Sequence, residues 1–483
     1  MALYNKAGEI LEKLESQKGT IRSLCLADDV VEKKRTYALV CESLKYKDAL
    51  QIIIKQTGLV EAEKQRKIRP GVILVLVYDF LFGRGLQTTG SYKEVIMKHQ
   101  TRLKAELAKL KIKRKVTDNK MLIPEHIRNA IVLPRWVRVN TLVASVDKVI
   151  GELLEMGYAE DADTESSQLK GKAFQRDKHI PEMLLLPSNV DLHANPLLLN
   201  GSIIIQDKAS CFPAYVLNAP RNSICIDACA APGNKTSHLS AVMGNTGKIF
   251  AFDMDKRRLT ILQKMTKRAG CKNIEPVLCD FLEVKVTDKR YKDVEYILLD
   301  PSCSGSGIVG RMDHLIDQDT SAAENESEED VSAAAAASEA RVTALADFQA
   351  KAILHGFQFP KVKKVVYSTC SKHREENEDV VQKVLAAQTD FVLAPNAFPQ
   401  WTRRGLPLFD GADRVIRTEP REDHCIGFFV ALFQRKSSVP LATQAAAKRN
   451  APEGQDGHAG EPVKKKARKN KKKKPKKRSA ATS

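Results

Sequence analysis

From residue 201 onwards the chain alternates short apolar segments with segments of helical periodicity, and this alternation limits the fold more than any other feature. It is typical of a parallel sheet that helices cover on both faces. The apolar segments have the length of strands and lie at 223–227, 248–252, 276–279, 294–299 and 364–368. We therefore predict an α/β domain over residues 201–435, built on such a sheet.

The predicted strands end at polar side chains and turns that can bind a ligand. The turn ACAAPGN (228–234) follows the first strand, and Asp253, Asp280 and Asp300 end three later ones. Open α/β sheets bind ligands beyond the carboxyl ends of their strands, so we expect these groups in one site. An aspartate at such an end can instead cap the next helix.

The first turn and the aspartates also indicate the type of nucleotide. G-x-G-x-x-G is absent, and the phosphate loop G-x-x-x-x-G-K-[ST] is not satisfied because Asn234 separates Gly233 from Lys235. Asp253 is placed to accept hydrogen bonds from ribose hydroxyls, and Asp280 lies within reach of an adenine amino group. These features favour an adenosine-type ligand without a polyphosphate, such as S-adenosylmethionine.

Two of the ten cysteines, Cys303 in PSCSGSG and Cys370 in TCS, follow predicted strands at the same rim. Methylation of cytosine at C5 requires a thiolate that adds to C6, because C5 is too electron-poor to attack a methyl donor directly. Asp300 is placed to stabilise such an adduct near N3, and Lys235 could favour the thiolate. On this chemistry either cysteine can be the nucleophile. The cysteines form no C-x-x-C pair, so we predict no metal site.

The charge of the chain, +19 overall, is unevenly distributed. Residues 1–120 contain 25 Lys/Arg and 14 Asp/Glu, and twelve of the fifteen residues at 464–478 are basic. A basic body favours a polyanionic partner, first of all nucleic acid, and the C-terminal run is typical of a nuclear or nucleolar address with RNA affinity. The helical segment 98–115 has eight basic residues and one acidic residue. Such a helix can lie on RNA or on a membrane surface, or its basic face can simply be exposed to solvent.

Composition and periodicity divide the chain into four regions. Residues 1–130 are predicted as a basic helical domain, and 131–200 as a small α+β module that binds RNA. The α/β domain at 201–435 carries an acidic, disordered insertion at about 313–340, and 436–483 form a disordered lysine-rich tail. No apolar run approaches the ~20 residues of a membrane span, and the N-terminus lacks a signal-peptide pattern, so we expect an intracellular protein.

Several motifs together resemble one known family. DACAAPGNKT, AFDMD, LLDPSCSGSG and YSTCS occur in the order found in the Sun-domain RNA (cytosine-5) methyltransferases, and PRWVRVNTL, IQDKAS and DHCIGFFVALFQR are similar to further segments of that family. The resemblance covers roughly 130–435 and implies a Rossmann-like, S-adenosylmethionine-dependent methyltransferase sheet. Within the family the chain most resembles member five, which implies a nucleolar enzyme that acts on 28S/25S ribosomal RNA.

The resemblance also implies roles for single residues. Cys370 would be the nucleophile, Cys303 would help to eliminate the C5 proton and release the product, and residues 206–210 (QDKAS) would frame the cofactor. The S-adenosyl-L-methionine site would comprise Cys229, Ala230, Ala231, Pro232, Gly233, Asn234, Lys235, Asp253, Asp280 and Asp300. The family usually has glycine at the position of Asn234, and asparagine there is a feature of member five.

We therefore expect methylation of C5 of a cytosine in large-subunit ribosomal RNA, on naked RNA or on a pre-ribosomal particle, by a monomeric protein. An alternative is a non-catalytic nucleolar RNA-binding assembly factor, for which basic termini are equally suitable. Against it, such a factor has no need of both Cys303 and Cys370. Methylation of DNA is disfavoured because the Thr-Cys-Ser element is additional to that mechanism.

Overall fold

The computed structural model describes residues 1–16, 18–309, 315, 328–395 and 397–436. Half of the predicted acidic insertion and nearly all of the lysine-rich tail lie outside these residues. None of the helices in the described part combines the length and apolarity that a bilayer crossing requires.

The first part of the chain is helical. Its core is the apolar helix α6, which begins at Pro70, a residue suited to a first helical turn because it has no N–H to satisfy. Most of α6 is buried, and α1 packs against it. The helices are α1 (Ala2–Glu15), α2 (Ile21–Cys25), α3 (Lys33–Lys45), α4 (Lys47–Thr57), α5 (Leu59–Ala62), α6 (Pro70–Leu81), α7 (Ser91–Lys113) and α8 (Glu125–Arg128).

A small sheet follows, with strand order β2-β3-β4-β1-β5. Its elements are β1 (Arg135–Val139), α9 (Val146–Glu155), β2 (Ala159–Glu160), β3 (Ala173–Arg176), β4 (Met183–Leu186), α10 (Pro196–Leu199) and β5 (Ile203–Ile205). The predicted boundary at residue 200 differs from the structure, because β5 pairs antiparallel with β1, with Ile205 opposite Val137. The apolar strand β5 thus completes the small sheet rather than opening the large one.

The large sheet has the order β11-β13-β10-β9-β6-β7-β8, with β12 also paired to β13. Its strands are β6 (Ile224–Asp227), β7 (Lys248–Asp253), β8 (Ile274–Leu278), β9 (Tyr296–Leu299), β10 (Lys364–Thr369), β11 (Phe391–Leu393), β12 (Ile416–Thr418) and β13 (Phe428–Arg435). The helices are α11 (Lys208–Leu217), α12 (Asn234–Val242), α13 (Lys256–Arg268), α14 (Glu328–Phe357), α15 (Glu378–Ala387) and α16 (Pro420–Asp423). Strands β6 to β10 are mutually parallel. The predicted α/β class is confirmed.

Buried side chains of the central strands alternate between the two faces of this sheet. On β9, Leu298 packs in one apolar cluster, whereas Ile297 and Leu299 pack in another. Both faces are therefore covered, as a parallel sheet requires. The carboxyl ends of β6, β7, β9 and β10 are left free to form a site at one edge.

The acidic insertion differs from its prediction as a loop. Helix α14 begins at Glu328, so residues 328–340 form its first turns. The run of five alanines at 333–337 favours a helix, because alanine has the highest helix propensity. Residues 313, 314 and 316–327 of the insertion lie outside the described part of the chain.

Candidate active site

The turn after β6 lies at the centre of the carboxyl edge. The backbone N–H of Ala230 donates to Phe252 O (2.8 Å), which joins the turn to β7. Gly233 precedes α12 with φ +107°, a conformation that L side chains rarely adopt. A Cβ on Gly233 would also lie 3.3 Å from Leu262 and from Thr266, so helix α13 packs directly against the turn. Glycine is therefore required here.

Asp253 holds the same turn from the end of β7. Its Oδ2 accepts from Ala231 N (3.2 Å) and its Oδ1 from Asp255 N (3.0 Å). Arg258, which was not predicted as a site residue, lies 3.5 Å from Asp253 and donates to Ala231 O at 2.7 Å. Asp253 is thus a buried carboxylate whose position the backbone of the turn determines.

Asp280 follows β8, the strand beside β7. Its Oδ1 accepts from Leu282 N at 3.0 Å and so caps a short helical turn. The capping alternative considered for these aspartates therefore applies to this residue. The capping hydrogen bond uses one oxygen of the carboxylate.

Lys235 and Asp300 form an ion pair at the centre of the edge. Lys235 Nζ lies 2.8 Å from Asp300 Oδ2 and donates to Ser210 Oγ at 3.0 Å. Ser368 Oγ donates to Asp300 Oδ1 at 2.6 Å. Burial alone would lower the pKa of Lys235, but the charge of Asp300 and its hydrogen bond outweigh burial and raise it. Lys235 is therefore an ammonium at neutral pH.

The segment 206–210 reaches this edge through Ser210. Gln206 Nε2 donates to Ser210 O (3.1 Å), and Gln206 Oε1 accepts from the fully buried Arg138 (2.9 Å). Arg138 also donates to Ser237 Oγ in helix α12 at 3.1 Å. The small sheet is thereby connected to the helix that carries Lys235.

Asp227, the last residue of β6, was missed by the sequence analysis. Burial raises its pKa to about 7, with a further contribution from the charge of Asp300, although Thr236 opposes the shift by donating to Oδ2 at 2.7 Å. Its Oδ1, like Oδ1 of Asn234, is buried and finds no hydrogen-bond partner among the described residues. Its position at a strand end, shared with Asp253 and Asp300, is the signal that could have found it.

The structure brings the two cysteines singled out in the sequence into contact. Cys303 Sγ and Cys370 Sγ lie 3.1 Å apart, and both side chains are half-buried. The hydrogen bond to Cys370, followed by burial, raises the pKa of Cys303 well above its ordinary value. Cys303 therefore keeps its proton at neutral pH. Cys229, in the turn, is also a neutral thiol, because burial and the nearby Asp227 raise its pKa.

The remaining turn residues lie close by. Ala230 and Ala231 are buried, Pro232 is exposed, and Asn234 is half-buried. The described part of the chain brings no three His, Cys, Asp or Glu side chains together in a metal-binding group. The site therefore consists of a glycine turn, strand-end aspartates, one lysine and two thiols.

Three family models match consecutive parts of the chain. They are described as NOL1/NOP2/Sun domain family member 5, N-terminal domain (residues 34–123), its ferredoxin-like domain (133–206), and 16S rRNA methyltransferase RsmB/F (214–434). The second match ends with β5, in agreement with the small sheet.

Individual proteins are similar over most of the chain. The mouse 28S rRNA (cytosine-C(5))-methyltransferase is 42% identical, over 91% of this chain and 92% of its own. The 25S rRNA (cytosine-C(5))-methyltransferase rcm1 of Schizosaccharomyces pombe is 38% identical, over 89% and 91%. The crystal structure of PH0851 shares the fold, with a TM-score of 0.59 at 22% identity over 89% of this chain and 99% of that one. The chain belongs to the family of ribosomal RNA (cytosine-C5)-methyltransferases described as NOL1/NOP2/Sun domain family member 5.

Proposed function

We propose that this protein methylates C5 of a cytosine in large-subunit, 28S-type ribosomal RNA and thereby supports ribosome biogenesis. The methyl donor is S-adenosyl-L-methionine. The single observation that carries the proposal is the contact of two thiols, Cys303 and Cys370, beside the Lys235–Asp300 ion pair. The names of the mouse and fission-yeast relatives support the choice of substrate.

The carboxyl edge of the sheet fits the proposed cofactor. S-adenosyl-L-methionine supplies an electrophilic methyl group when it is bound. The buried Oδ1 atoms of Asp227 and Asn234, which find no partner among the described residues, leave polar capacity beside the turn for a ligand. The residues proposed to bind it are Cys229, Ala230, Ala231, Pro232, Gly233, Asn234, Lys235, Asp253, Asp280 and Asp300.

Cys370 is the proposed nucleophile. Its sulfur forms a bond to C6 of cytosine, which moves electron density toward N3 and makes C5 nucleophilic. The two sulfur atoms lie 3.1 Å apart and either thiol can donate to the other, so a thiol on Cys303 is proposed to stabilise a thiolate on Cys370. The resemblance of the Thr-Cys-Ser motif to the family supports the assignment of Cys370 to attack. Asp300, held by Lys235 and Ser368, is proposed to stabilise the adduct near N3.

Cys303 is proposed to act in release. After methyl transfer, the C5–H electron pair re-forms the C5=C6 double bond while the Sγ–C6 bond breaks and its electron pair leaves with the sulfur of Cys370. The Cys303 thiol, 3.1 Å away, gives its proton to that sulfur, and the Cys303 thiolate so formed takes the C5 proton. The net result is transfer of one proton from C5 to Cys370, with Cys303 restored as a thiol. A target base must leave its stack to reach both sulfur atoms, so we propose an unpaired or flipped cytosine.

Regions outside the site are proposed to hold the RNA. The helical residues 1–130 are strongly basic, and the small sheet lies between them and the catalytic domain in the chain. We propose that both grip a structured ribosomal segment through phosphates and shape, and that the protein acts as a monomer. The basic run at 464–478 is the proposed nuclear and nucleolar address.

The direct test of the enzyme activity uses wild type, Cys303→Ser and Cys370→Ser with unmodified large-subunit ribosomal RNA, naked and in pre-ribosomal particles. Nucleoside mass spectrometry measures 5-methylcytidine, and a denaturing gel detects protein–RNA adducts. We expect product from wild type, neither product nor adduct from Cys370→Ser, and accumulated adduct from Cys303→Ser. Reversed behaviour of the variants would exchange the two roles. Salt-sensitive RNA binding without product from wild type would favour the non-catalytic assembly factor.

The address is tested separately by fluorescence microscopy of the tagged full chain. Replacing the twelve bases of 464–478 by glutamine should move the protein out of the nucleolus. A control replaces the bases of 98–115, which we propose to act in RNA binding rather than in targeting. Unchanged nucleolar signal after the first replacement contradicts the proposed address.

A further inference from the structure

A partly buried hydrogen-bond network joins the two loops that carry the thiols. Its centre is a serine bridge formed by Ser304, Ser306 and Ser371. Ser304 directly follows Cys303 and Ser371 directly follows Cys370. Ser304 Oγ and Ser371 Oγ are 3.1 Å apart, and Ser371 Oγ lies 3.2 Å from Ser306 Oγ. The bridge therefore connects the residues next to both sulfur atoms.

Glu376 lies at the inner end of the serine bridge and is fully buried. Its Oε1 accepts from Ser304 N (2.9 Å) and Gln349 Nε2 (3.0 Å), and its Oε2 accepts from Ser304 Oγ (2.5 Å). Among the described residues, no lysine, arginine or histidine comes within ion-pair distance of this carboxylate. Burying a carboxylate whose hydrogen-bond donors are all neutral costs free energy. Two of the donors to Glu376, Ser304 N and Ser304 Oγ, belong to the loop that carries Cys303.

The carboxylate also determines the direction of the hydrogen bonds in the bridge. Ser304 has one hydroxyl proton, and the short bond to Glu376 takes it. Ser304 Oγ is then left to accept in its contacts with the hydroxyls of Ser371 (3.1 Å) and Ser306 (3.2 Å). The backbone N–H of His373 donates to Ser371 Oγ at 3.0 Å, which is consistent with that orientation.

The two thiol loops depend on Glu376 to different degrees. On either side of Cys370, the chain is attached independently of Glu376: Thr369 pairs with Phe429 of β13, and Asn377 Nδ2 donates to Ser371 O (2.9 Å). On either side of Cys303, Ser304 is attached to Glu376 and Ser302 O to Gln349, which itself contacts Glu376. The far end of the Cys303 loop is held separately, because Gly307 N donates to Cys370 O (2.9 Å). Loss of the carboxylate should therefore displace Cys303 more than Cys370.

We propose that Glu376 is a positioning residue that holds Cys303 against Cys370, so that the adduct is released after methyl transfer. The inference rests on the proposed function, because the adduct and its release belong to that reaction. Glu376 acts through Ser304 and touches neither sulfur nor substrate. Its removal should slow release more than attack.

The test compares Glu376→Gln with Glu378→Gln. Glutamine has the shape of glutamate, but its amide nitrogen cannot accept the Ser304 proton, so the bridge must reverse. Glu378 is equally buried and pairs with Arg417 at 2.6 Å, so its variant controls for the loss of a buried carboxylate. Thermal unfolding of both variants measures the general structural cost.

Two readouts separate positioning from folding. With ribosomal RNA, we expect Glu376→Gln to lower kcat about tenfold and to raise the adduct fraction severalfold, with KM for RNA within twofold of wild type. Without RNA, mild hydrogen peroxide should oxidise the two thiols to a disulfide. One peroxide molecule accepts two electrons and the two thiol protons and is reduced to two waters. Peptide mass spectrometry should show this coupling to be severalfold slower in Glu376→Gln.

The outcomes are distinguishable. An adduct fraction and a coupling rate like those of wild type, or equal changes in Glu378→Gln, would overturn the positioning role. A slower coupling in Glu376→Gln alone, with no methylation by wild type, supports the positioning of Cys303 while the proposed function fails.

Discussion

Lys235 Nζ lies 2.8 Å from Asp300 Oδ2, and this ion pair joins the first turn of α12 to the end of β9. The two side chains are 14% and 26% exposed, so solvent screens the pair only in part. Ser210 accepts a hydrogen bond from Lys235, and Ser368 donates one to Asp300. The pair therefore places a cation and an anion at fixed positions beside the two thiols.

Breaking this pair should separate stability from activity. Lys235→Met leaves Asp300 without its cation, and we expect it to lower the free energy of unfolding by about 1–3 kcal/mol. The double variant Lys235→Met/Asp300→Asn removes both charges and should regain most of that loss, yet neither protein should methylate RNA. Urea unfolding and methyl transfer measure the two effects. A double variant with the summed loss of both single variants would contradict the prediction.

Asp227 should make stability depend on pH. Its folded-state pKa of about 7 exceeds the ordinary 3.8, so the folded state binds the proton more tightly than the unfolded state. The stability contributed by this group is complete below about pH 4 and is lost as pH rises to about 7. Asp227→Asn should therefore be more stable than wild type at pH 8, by roughly 4 kcal/mol, and equal to it near pH 4. Urea unfolding of both proteins between pH 4 and pH 8 checks this prediction. A difference in the free energy of unfolding that stays the same at every pH would contradict it.

Two glycines that touch each other should differ in their tolerance of alanine. A Cβ on Gly307 would lie 2.0 Å from Gly427 O and 2.9 Å from Cys370 O, so backbone must move. A Cβ on Gly427 would lie 2.9 Å from the flexible side chain of Lys372 and 3.0 Å from Gly307 Cα, which is a smaller overlap with backbone. Gly307→Ala should cost about 1–3 kcal/mol and reduce methyl transfer, and Gly427→Ala should be milder. Denaturant unfolding and turnover rank the two variants; the opposite order would refute the prediction.

Tyr4 should stabilise the helical domain without affecting chemistry. Its hydroxyl donates to the buried Asp79 at 2.5 Å and accepts from Gln87 N at 2.8 Å. Burial, together with the hydrogen bond to Asp79, raises the pKa of Tyr4 to about 12. Tyr4→Phe leaves both partners unsatisfied and should cost about 1–3 kcal/mol, with kcat unchanged. Calorimetry and turnover measure this, and an unchanged melting temperature would contradict it.

Local pattern was enough to predict much of the large sheet. The apolar segment at 223–227 became β6 (Ile224–Asp227), and that at 364–368 became β10 (Lys364–Thr369), because short apolar runs that alternate with helical segments are typical of strands in a parallel sheet. Pattern was insufficient for β5, whose pairing partner β1 lies more than sixty residues earlier. It also failed at 328–340, where composition suggested a loop but helix propensity prevails.

The sequence by itself determined the α/β class, the order of the strands along the chain and the presence of a cysteine after each of two strand ends, because these depend on residue type and spacing. Only the tertiary structure decided that Cys303 and Cys370 lie 3.1 Å apart, that Glu376 holds one loop, and that Asp227 is buried enough to retain its proton near neutral pH. Distances between residues far apart in sequence, and the burial that shifts a pKa, depend on how the elements pack.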